Sequence, residues 1–286
     1  MLGLGNSISR SDFIQSASLL LDKSFAAGPA AAYSLRRVSS SYSGPAVQIR
    51  RASDNVEVNV NFDSDGVVSL NSTISNVTEE TTGSSTSLTT SATTLGQFVA
   101  NASYTDADSL GSTDSALVQN WYDQSGNSND AIQSTAANQP KIVSSGSLVA
   151  QNGKPAIEFD GSNDRLFSAS TYTPTTSMAQ IVVAKGTSSS TDQIIGDSND
   201  RRHGMALRIQ NGNFNYFNGT GSSFNHHTHT ANDNQNLHFY GRDTSSTFYA
   251  RLNGSETSTS ISAIDTTALN IYLGARHDGS LVLDGT

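Results

Sequence analysis

HGMALRIQNGNFNYFNG (residues 203–219) is two short runs of mixed apolar and polar residues hinged on Asn211-Gly212. Asn-Gly between such runs is the strongest short hairpin signal, because a type I′ turn needs positive φ at both central residues. The same rhythm continues on both sides. Downstream lie NLHFYGRD (236–243), TFYARLNGS (247–255), LNIYLGAR (269–276) and SLVLDG (280–285). Upstream lie PKIVSS (140–145), SLVAQNG (147–153), PAIEFDGS (155–162), AQIVVAKG (179–186) and QIIGDS (193–198). In the first half AAYSLRRV (31–38), PAVQIRRA (45–52), VEVNVNF (56–62) and GVVSL (66–70) repeat it, and VEVNVNF alternates as a half-buried strand should. So many short strands without intervening helices predict an all-β, two-sheet antiparallel sandwich over residues 25–286. The chain stops directly after the LVLDGT strand (281–286), where such a sandwich is expected to bring a last strand back. The C-terminus is therefore expected to be a truncation.

Composition supports this class. Of 286 residues 35% are hydrophobic and 14% charged, but the aliphatic and aromatic residues recur along nearly the whole length, which a disordered polar tract would not do. The formal net charge of −9 opposes contact with a phosphate backbone, and no run approaches the roughly 20 apolar residues of a membrane span. Nucleic acid and membrane are thus excluded as expected partners. The start MLGLGNSISR has no basic-then-apolar export pattern, and there are no cysteines. Both fit a chain made in the cytoplasm and stabilised by packing or oligomerisation.

Residues 1–24 form a separate segment. SDFIQSASLLLDK (11–23) reads as one amphipathic helix, with Phe13, Ile14, Ala17, Leu20 and Leu21 on a single face. It is either a terminal helix lying on its own domain or an arm that docks on another chain; an apolar face of this size is too costly to leave in water, which favours docking. Residues 71–95 read as a Ser/Thr loop too poor in aliphatics for a core strand, and LGQFVANASY (95–104) fits helix or strand.

Few motifs carry chemistry. FDSDGV (62–67) and FDGSND (159–164) could be calcium turns, but each reads first as a hairpin turn, lacking the oxygens calcium requires. His226, His227 and His229 sit in the polar run SSFNHHTHTANDNQN (222–236), which reads as an exposed loop rather than a zinc site, so no metal is expected. Trp121 and Tyr122 followed by Asp123 could stack on and bond a sugar, or could fill the core while Asp123 caps a turn. No Gly-x-Ser-x-Gly elbow, phosphate-cradling loop or nucleotide fingerprint occurs, so no cofactor is expected.

Four phrases in order, AAYSLRRVSSSYSGPAVQIRRASDN (31–55), NWYDQSGNSNDA (120–131), NGKPAIEFDGSNDRL (152–166) and LNIYLGARHDGS (269–280), resemble two groups of proteins. One is the concanavalin-like catalytic domain of fungal-type α-L-arabinofuranosidases. The other is the laminin-G-like modules of tailed-phage virion proteins, whose openings MLGLGNSIS also resembles. The resemblance implies a concanavalin-like jelly-roll sandwich with a short N-terminal helical arm.

In the enzymes the nucleophile lies in an Asp-Leu-Glu-Asn-Gly segment, and the matching stretch is Arg208-Ile209-Gln210-Asn211-Gly212. A carboxamide at Gln210 can neither form the glycosyl ester nor stabilise an oxocarbenium ion. Leu273-Gly274-Ala275-Arg276-His277-Asp278 fits the segment preceding the family's acid/base, so the resemblance marks Asp278 as its remnant, with His277 in place of a glycine. The family's adjacent cysteines are missing. The expectation is a non-catalytic virion structural protein (decoration, fibre or tail-associated). Its expected partners are other virion proteins, further copies of itself (a trimer being one form) and host glycans met by Trp121, Tyr122, Asp123, Asn211, His277 and Asp278. The alternative is a retaining arabinofuranosidase-like hydrolase.

Overall fold

The computed structural model describes residues 19–22, 28–79, 92–100, 114–187, 193–197, 205–219, 224–243, 246–261, 265 and 267–286. Strands β1 (Val47–Arg51), β2 (Val56–Val60), β3 (Ile74–Glu79) and β4 (Ala116–Trp121) come first, with helix α1 (Leu95–Ala100) before β4. Short strands follow: β5 (Ala131–Ile132), β6 (Lys141–Ser144), β7 (Ser147–Leu148), β8 (Ala150–Gln151), β9 (Lys154–Pro155), β10 (Phe159–Asp160) and β11 (Leu166–Ser168). The second half holds β12 (Met178–Ala184), β13 (Gln193–Asp197), β14 (Met205–Gln210), β15 (Asn213–Gly219), β16 (Phe224–Thr230), β17 (Asn236–Arg242), β18 (Thr247–Leu252) and β19 (Ser255–Ser260). The two-residue strands β20 (Tyr272–Leu273) and β21 (Asp284–Gly285) close it.

The strands form an all-β antiparallel sandwich. The large sheet runs β16-β15-β14-β13-β20-β11-β5-β4-β1-β2-β3, and the smaller one β12-β17-β18-β19. One core contains residues of both, including Ile49, Val58, Leu166, Ile209 and Phe214 from the first and Tyr240 and Phe248 from the second. Polar ties cross it as well. The buried Arg242 of β17 donates to Asn218 Oδ1 of β15 at 2.9 Å, and the Tyr216 hydroxyl of β15 lies 2.9 Å from Nδ1 of His238 on β17.

The hairpin at the centre of the sequence reading is present: β14 and β15 pair from Met205↔Asn218 to Gln210↔Asn213, and Asn211 and Gly212 have φ of 51° and 70°. Other expectations need correction. VEVNV is buried on both faces, since Glu57 and Asn59 are 8% and 7% exposed. Asn59 is covered by the Tyr122 hydroxyl, which donates to its Oδ1 at 2.8 Å. The stretch read as a Ser/Thr loop contains β3, an edge strand held by β2, with Ile74 and Val77 packed on the core. Among the described residues only Thr93 and Thr94 meet it on the side away from β2, so two well-placed aliphatics suffice. LGQFVA is helical, with Leu95, Phe98 and Val99 buried, and the guanidinium of the buried Arg51 stacks on Phe98 at 4.4 Å.

Of the N-terminal segment, Leu20–Asp22 form a single 3-10 turn. Leu21 N donates to Val38 O at 2.8 Å, and Asp22 Oδ1 accepts from Ser40 N, so this end is tied to its own domain. Leu20 is 47% exposed. Phe13, Ile14 and Ala17 lie outside the described residues. The last residues do pair within the sandwich: β21 lies on β10, and Thr286 and Lys185 exchange both backbone hydrogen bonds.

Gly274 follows β20 directly, with φ +81°, and a Cβ built on it would meet Phe159 Cδ1 at 2.1 Å. Gly153 also has positive φ, +70°, but faces open space. Gly274→Ala should therefore cost about 3 kcal/mol or more, combining backbone strain and overpacking, and Gly153→Ala about 1 kcal/mol. Urea-unfolding midpoints of the two variants check the difference, and equal losses would contradict this packing.

Candidate functional site

Strand alternation gives the β14–β16 ribbon two distinct faces. Met205, Leu207, Ile209, Phe214 and Tyr216 point into the core. Ala206, Arg208, Gln210, Asn213, Asn215 and Phe217 point the other way, joined by His226 and Thr228 through the pairs Phe217↔His226 and Asn215↔Thr228. This second face is polar and, along β14–β16, carries no carboxylate. Arg208 lies over the Phe217 ring at 5.1 Å, and its Nη2 donates to Gln210 Oε1. Gln210 is thus a neutral acceptor held by a cation beside the Asn211-Gly212 turn. Buried Asn215 donates to Gln210 O at 3.3 Å and Asn213 O at 2.9 Å, and the solvent-facing edge is Asn211, His226 and Thr228.

The turn with Asp278 lies at the same end of the large sheet. Leu207, Gly196 and Leu273 form one row across β14, β13 and β20, and β14 and β20 leave that row in the same direction. The 274–280 turn therefore starts two strand lanes, roughly 10 Å, from the lane of Gln210. Asp278 Oδ1 accepts Ser280 N at 2.9 Å and Ser280 Oγ at 2.5 Å, while Oδ2 lies 3.5 Å from Arg276 Nη1. The Ser280 hydrogen bonds, with the nearby Arg276 charge, hold this carboxyl below the ordinary aspartate range. A general acid needs the opposite shift. His277 sits edge-on to Tyr272, 6.2 Å away.

The Trp121–Asp123 group is elsewhere. Trp121 ends β4 opposite Ala131, five lanes or roughly 24 Å from β14, at the other end of the sheet. The residues named together as a glycan site are therefore two separate groups. Trp121 is partly buried against Tyr33, with ring centroids 5.9 Å apart. Asp123 is 3% exposed; Oδ1 accepts Ala32 N and Ser125 N, both at 2.8 Å, and Oδ2 accepts Ser125 Oγ at 2.6 Å and Asn129 N at 3.0 Å. Next to it Gln124 bonds Val38 N, Ser34 O and Arg36 O, and Asn127 bonds Pro29 O. This loop clamps residues 29–38, and Asp123 presents no exposed face to a ligand. Asp123→Ala would strand buried N–H groups, so it should destabilise by about 3 kcal/mol or more. A thermal-denaturation shift under 1 °C would contradict the clamp.

The histidine run is a strand, not a loop. Alternation puts His227 and His229 on the core side and His226 outside, so they cannot share a metal as a trio. His227 stacks on Phe248 at 5.4 Å, and His229 meets Tyr216 edge-on at 5.7 Å. Among the described residues no three His, Cys, Asp or Glu are placed to hold a metal. In both Asp-Gly turns the first Asp instead accepts local N–H groups: Asp63 from Asp65 and Val67, Asp160 from Ser162 and Asn163.

Two buried titratable groups were not legible in advance. Burial pushes His238 down to about 4, and burial with the nearby Asp160 charge pushes Asp164 up to about 7. Their signs oppose. Between roughly pH 6.5 and 4 the unfolded chain protonates at position 238 before the fold does, so stability falls on acidification. Between roughly pH 7 and 4 folded Asp164 keeps a proton that the unfolded chain has released, so stability rises on acidification. The two slopes offset in the parent protein. His238→Phe should leave a stability that grows from pH 6.5 to 4.5, and Asp164→Asn one that shrinks. Denaturant titrations at both pH values check the signs.

No protein-family model matches the chain, and no curated protein sequence does. Among solved structures it is similar to a GH54 α-L-arabinofuranosidase soaked with a cyclic sulfate inhibitor, at TM-score 0.54 and 16% identity over 89% of this chain and 56% of that one. An arabinofuranosidase complexed with arabinofuranosyl-alpha-1,2-xylobiose gives TM-score 0.51 and 17% identity over the same shares. The botulinum neurotoxin serotype D ligand binding domain in complex with N-acetylneuraminic acid gives 0.42 and 14%, over 54% of this chain and 40% of that one. The chain thus spans little more than half the length of the arabinofuranosidases it resembles. At these identities the likeness to them establishes a shared β-sandwich fold.

Proposed function

We propose that the chain is a non-hydrolytic, carbohydrate-binding sandwich that uses the outward face of the β14–β16 ribbon. The observation that carries this reading is Gln210: a carboxamide, oriented by Arg208, stands where the enzyme resemblance puts a nucleophilic carboxylate. The side chains of Gln210, Asn213 and Thr228, the part of that face open to solvent, suit sugar hydroxyls, and they supply no nucleophile. Asp278, an anion fixed in a turn, is poorly suited to give up a proton. The fold shared with arabinofuranosidases adds support.

We further infer a place in a virion, as a decoration, fibre or tail-associated subunit meeting host glycans. Its support is in the sequence: the MLGLGNSIS opening, the absence of cysteine and the phrases shared with laminin-G-like phage modules. In that setting Phe13, Ile14, Ala17 and Leu20 dock the N-terminal segment on another particle protein, while Leu21, bonded to Val38 O, anchors it to the sandwich. Blotting of purified particles tests the placement, and absence from them would refute it.

One observation favours the hydrolytic alternative. Asp164, pushed up to about 7, and Asp278, held below the ordinary aspartate range, lie on segments in contact, since the Arg165 guanidinium fills the space beside Gly279. Asp164, however, is only 6% exposed. The binding reading predicts no 4-nitrophenol release from 4-nitrophenyl α-L-arabinofuranoside above the buffer rate. It also predicts that Asn213→Ala and His226→Ala each weaken glycan binding about fivefold, the loss of one hydrogen bond. Turnover abolished by Asp164→Asn or Asp278→Asn would establish the enzyme instead.

A further inference from the structure

We propose that β12 is a pairing edge whose occupant is β12 of a second copy of this chain, across a twofold axis. This goes beyond the carbohydrate-binding reading and does not depend on it.

Among the described residues, β12 is an edge strand of the small sheet, paired only with β17. Which backbone groups it leaves free follows from the neighbours. Asn253 N donates to Leu237 O at 2.9 Å, and Leu237 N donates to Asn253 Oδ1, so the main chain of Leu237 faces the β18 side. Alternation then turns the even-numbered residues of β17 toward β12. In the register Val182↔His238, the even-numbered residues of β12 answer them. The N–H and C=O groups of Ala179, Ile181 and Val183 therefore point away from the sheet, and among the described residues nothing pairs with them.

Lys185, the next residue of this outward set, confirms the parity. It exchanges hydrogen bonds of 2.5 and 2.8 Å with Thr286, and Thr187 N donates to Asp284 O. Among the described residues, the edge is thus closed from Lys185 onward and open over Met178–Ala184.

The open stretch suits a copy of itself. An antiparallel pair centred on Ile181 sets Ile181 against Ile181 of the other copy and Ala179 against Val183, and it ends at Met178↔Ala184, where Thr286 begins. Each outward N–H and C=O gains a partner, and side chains that alternate on one face meet side chains of the same kind. Ile181 and Val183 are 56% and 59% exposed, and Leu237 beside them is 47% exposed, a contiguous apolar strip for a soluble surface. MAQIVVA contains no charge, so two copies of a chain with net charge −9 meet here without like-charge contact. Edge strands that avoid pairing usually carry a charge, a proline or a bulge, and β12 has none.

The test uses the whole chain. Light scattering should report a dimer, and Ile181→Lys, which sets two like charges opposite one another, should be monomeric at concentrations where Ile181→Thr remains dimeric. Because the chain has no cysteine, Ile181→Cys supplies one thiol per copy. Dibromobimane should link two such thiols into a fluorescent covalent dimer, whereas Val183→Cys, which faces Ala179, should link far less. Should Ile181→Lys fail to fold by circular dichroism, the cross-linking pair decides alone. A monomeric parent protein overturns the proposal. So does a dimer that survives Ile181→Lys, or one that links equally through positions 181 and 183.

Discussion

The large sheet is continuous because of two residues. Tyr272 and Leu273 pair with Asp197 and Gly196 on one side and with Phe167 and Leu166 on the other, and among the described residues they alone join the β13–β16 half to the β11–β3 half. Four main-chain pairings are little by themselves, so the join depends on what surrounds it. Leu166 is fully buried beneath, and Phe159 occupies the space above Gly274 that any side chain there would need. Ser168 O accepts from the Asn270 amide, and Ser168 Oγ accepts from Ile271 N, which guides the chain into the slot. That join sets the row Leu207–Gly196–Leu273 and so puts the Gln210 hairpin and the Asp278 turn at one end of the molecule.

Polar contacts of very long sequence separation set the rest. Asp123 and Gln124 hold residues 32–38 from about ninety positions away, and Arg242 gathers carbonyls of Thr175 and Asp265 with the amide of Asn218. A sandwich with 14% charged residues has few ionic contacts to spare. It places its buried charges where several backbone groups converge, which is how a buried charge becomes tolerable. Such groups are committed to structure. The outward β14–β16 face differs because Gln210, Asn213 and Thr228 remain partly open to solvent at the edge of the ribbon.

Much of the fold was legible in the sequence because hairpins are local. Asn211-Gly212 announces β14–β15, and Asn253-Gly254 announces β18–β19, with φ of 50° and 91°. β3 was not legible, because an edge strand needs only two inward aliphatics. The histidine strand was not legible either, because its core-side positions carry imidazoles that pack as flat rings against Tyr216 and Phe248. For the candidate site, the sequence singled out Gln210, Asn211 and Asp278 as candidates but could not show that Trp121 and Asp123 belong to the far end of the sheet. Strand order is a non-local property, and adjacency of motifs in the chain says nothing about it. The outward parity of Ala179, Ile181 and Val183 likewise depends on the β17 register.

The claim that this sandwich holds sugars on a carboxylate-free face is tested most directly by one proton–nitrogen NMR titration with methyl α-L-arabinofuranoside and related pentosides and hexosides. Binding at the outward ribbon face predicts saturable shifts at the amides of Asn213, Asn215 and Thr228, with the added glycoside intact at the end. Shifts confined to residues 121–130, or free sugar accumulating in the proton spectrum, would contradict it.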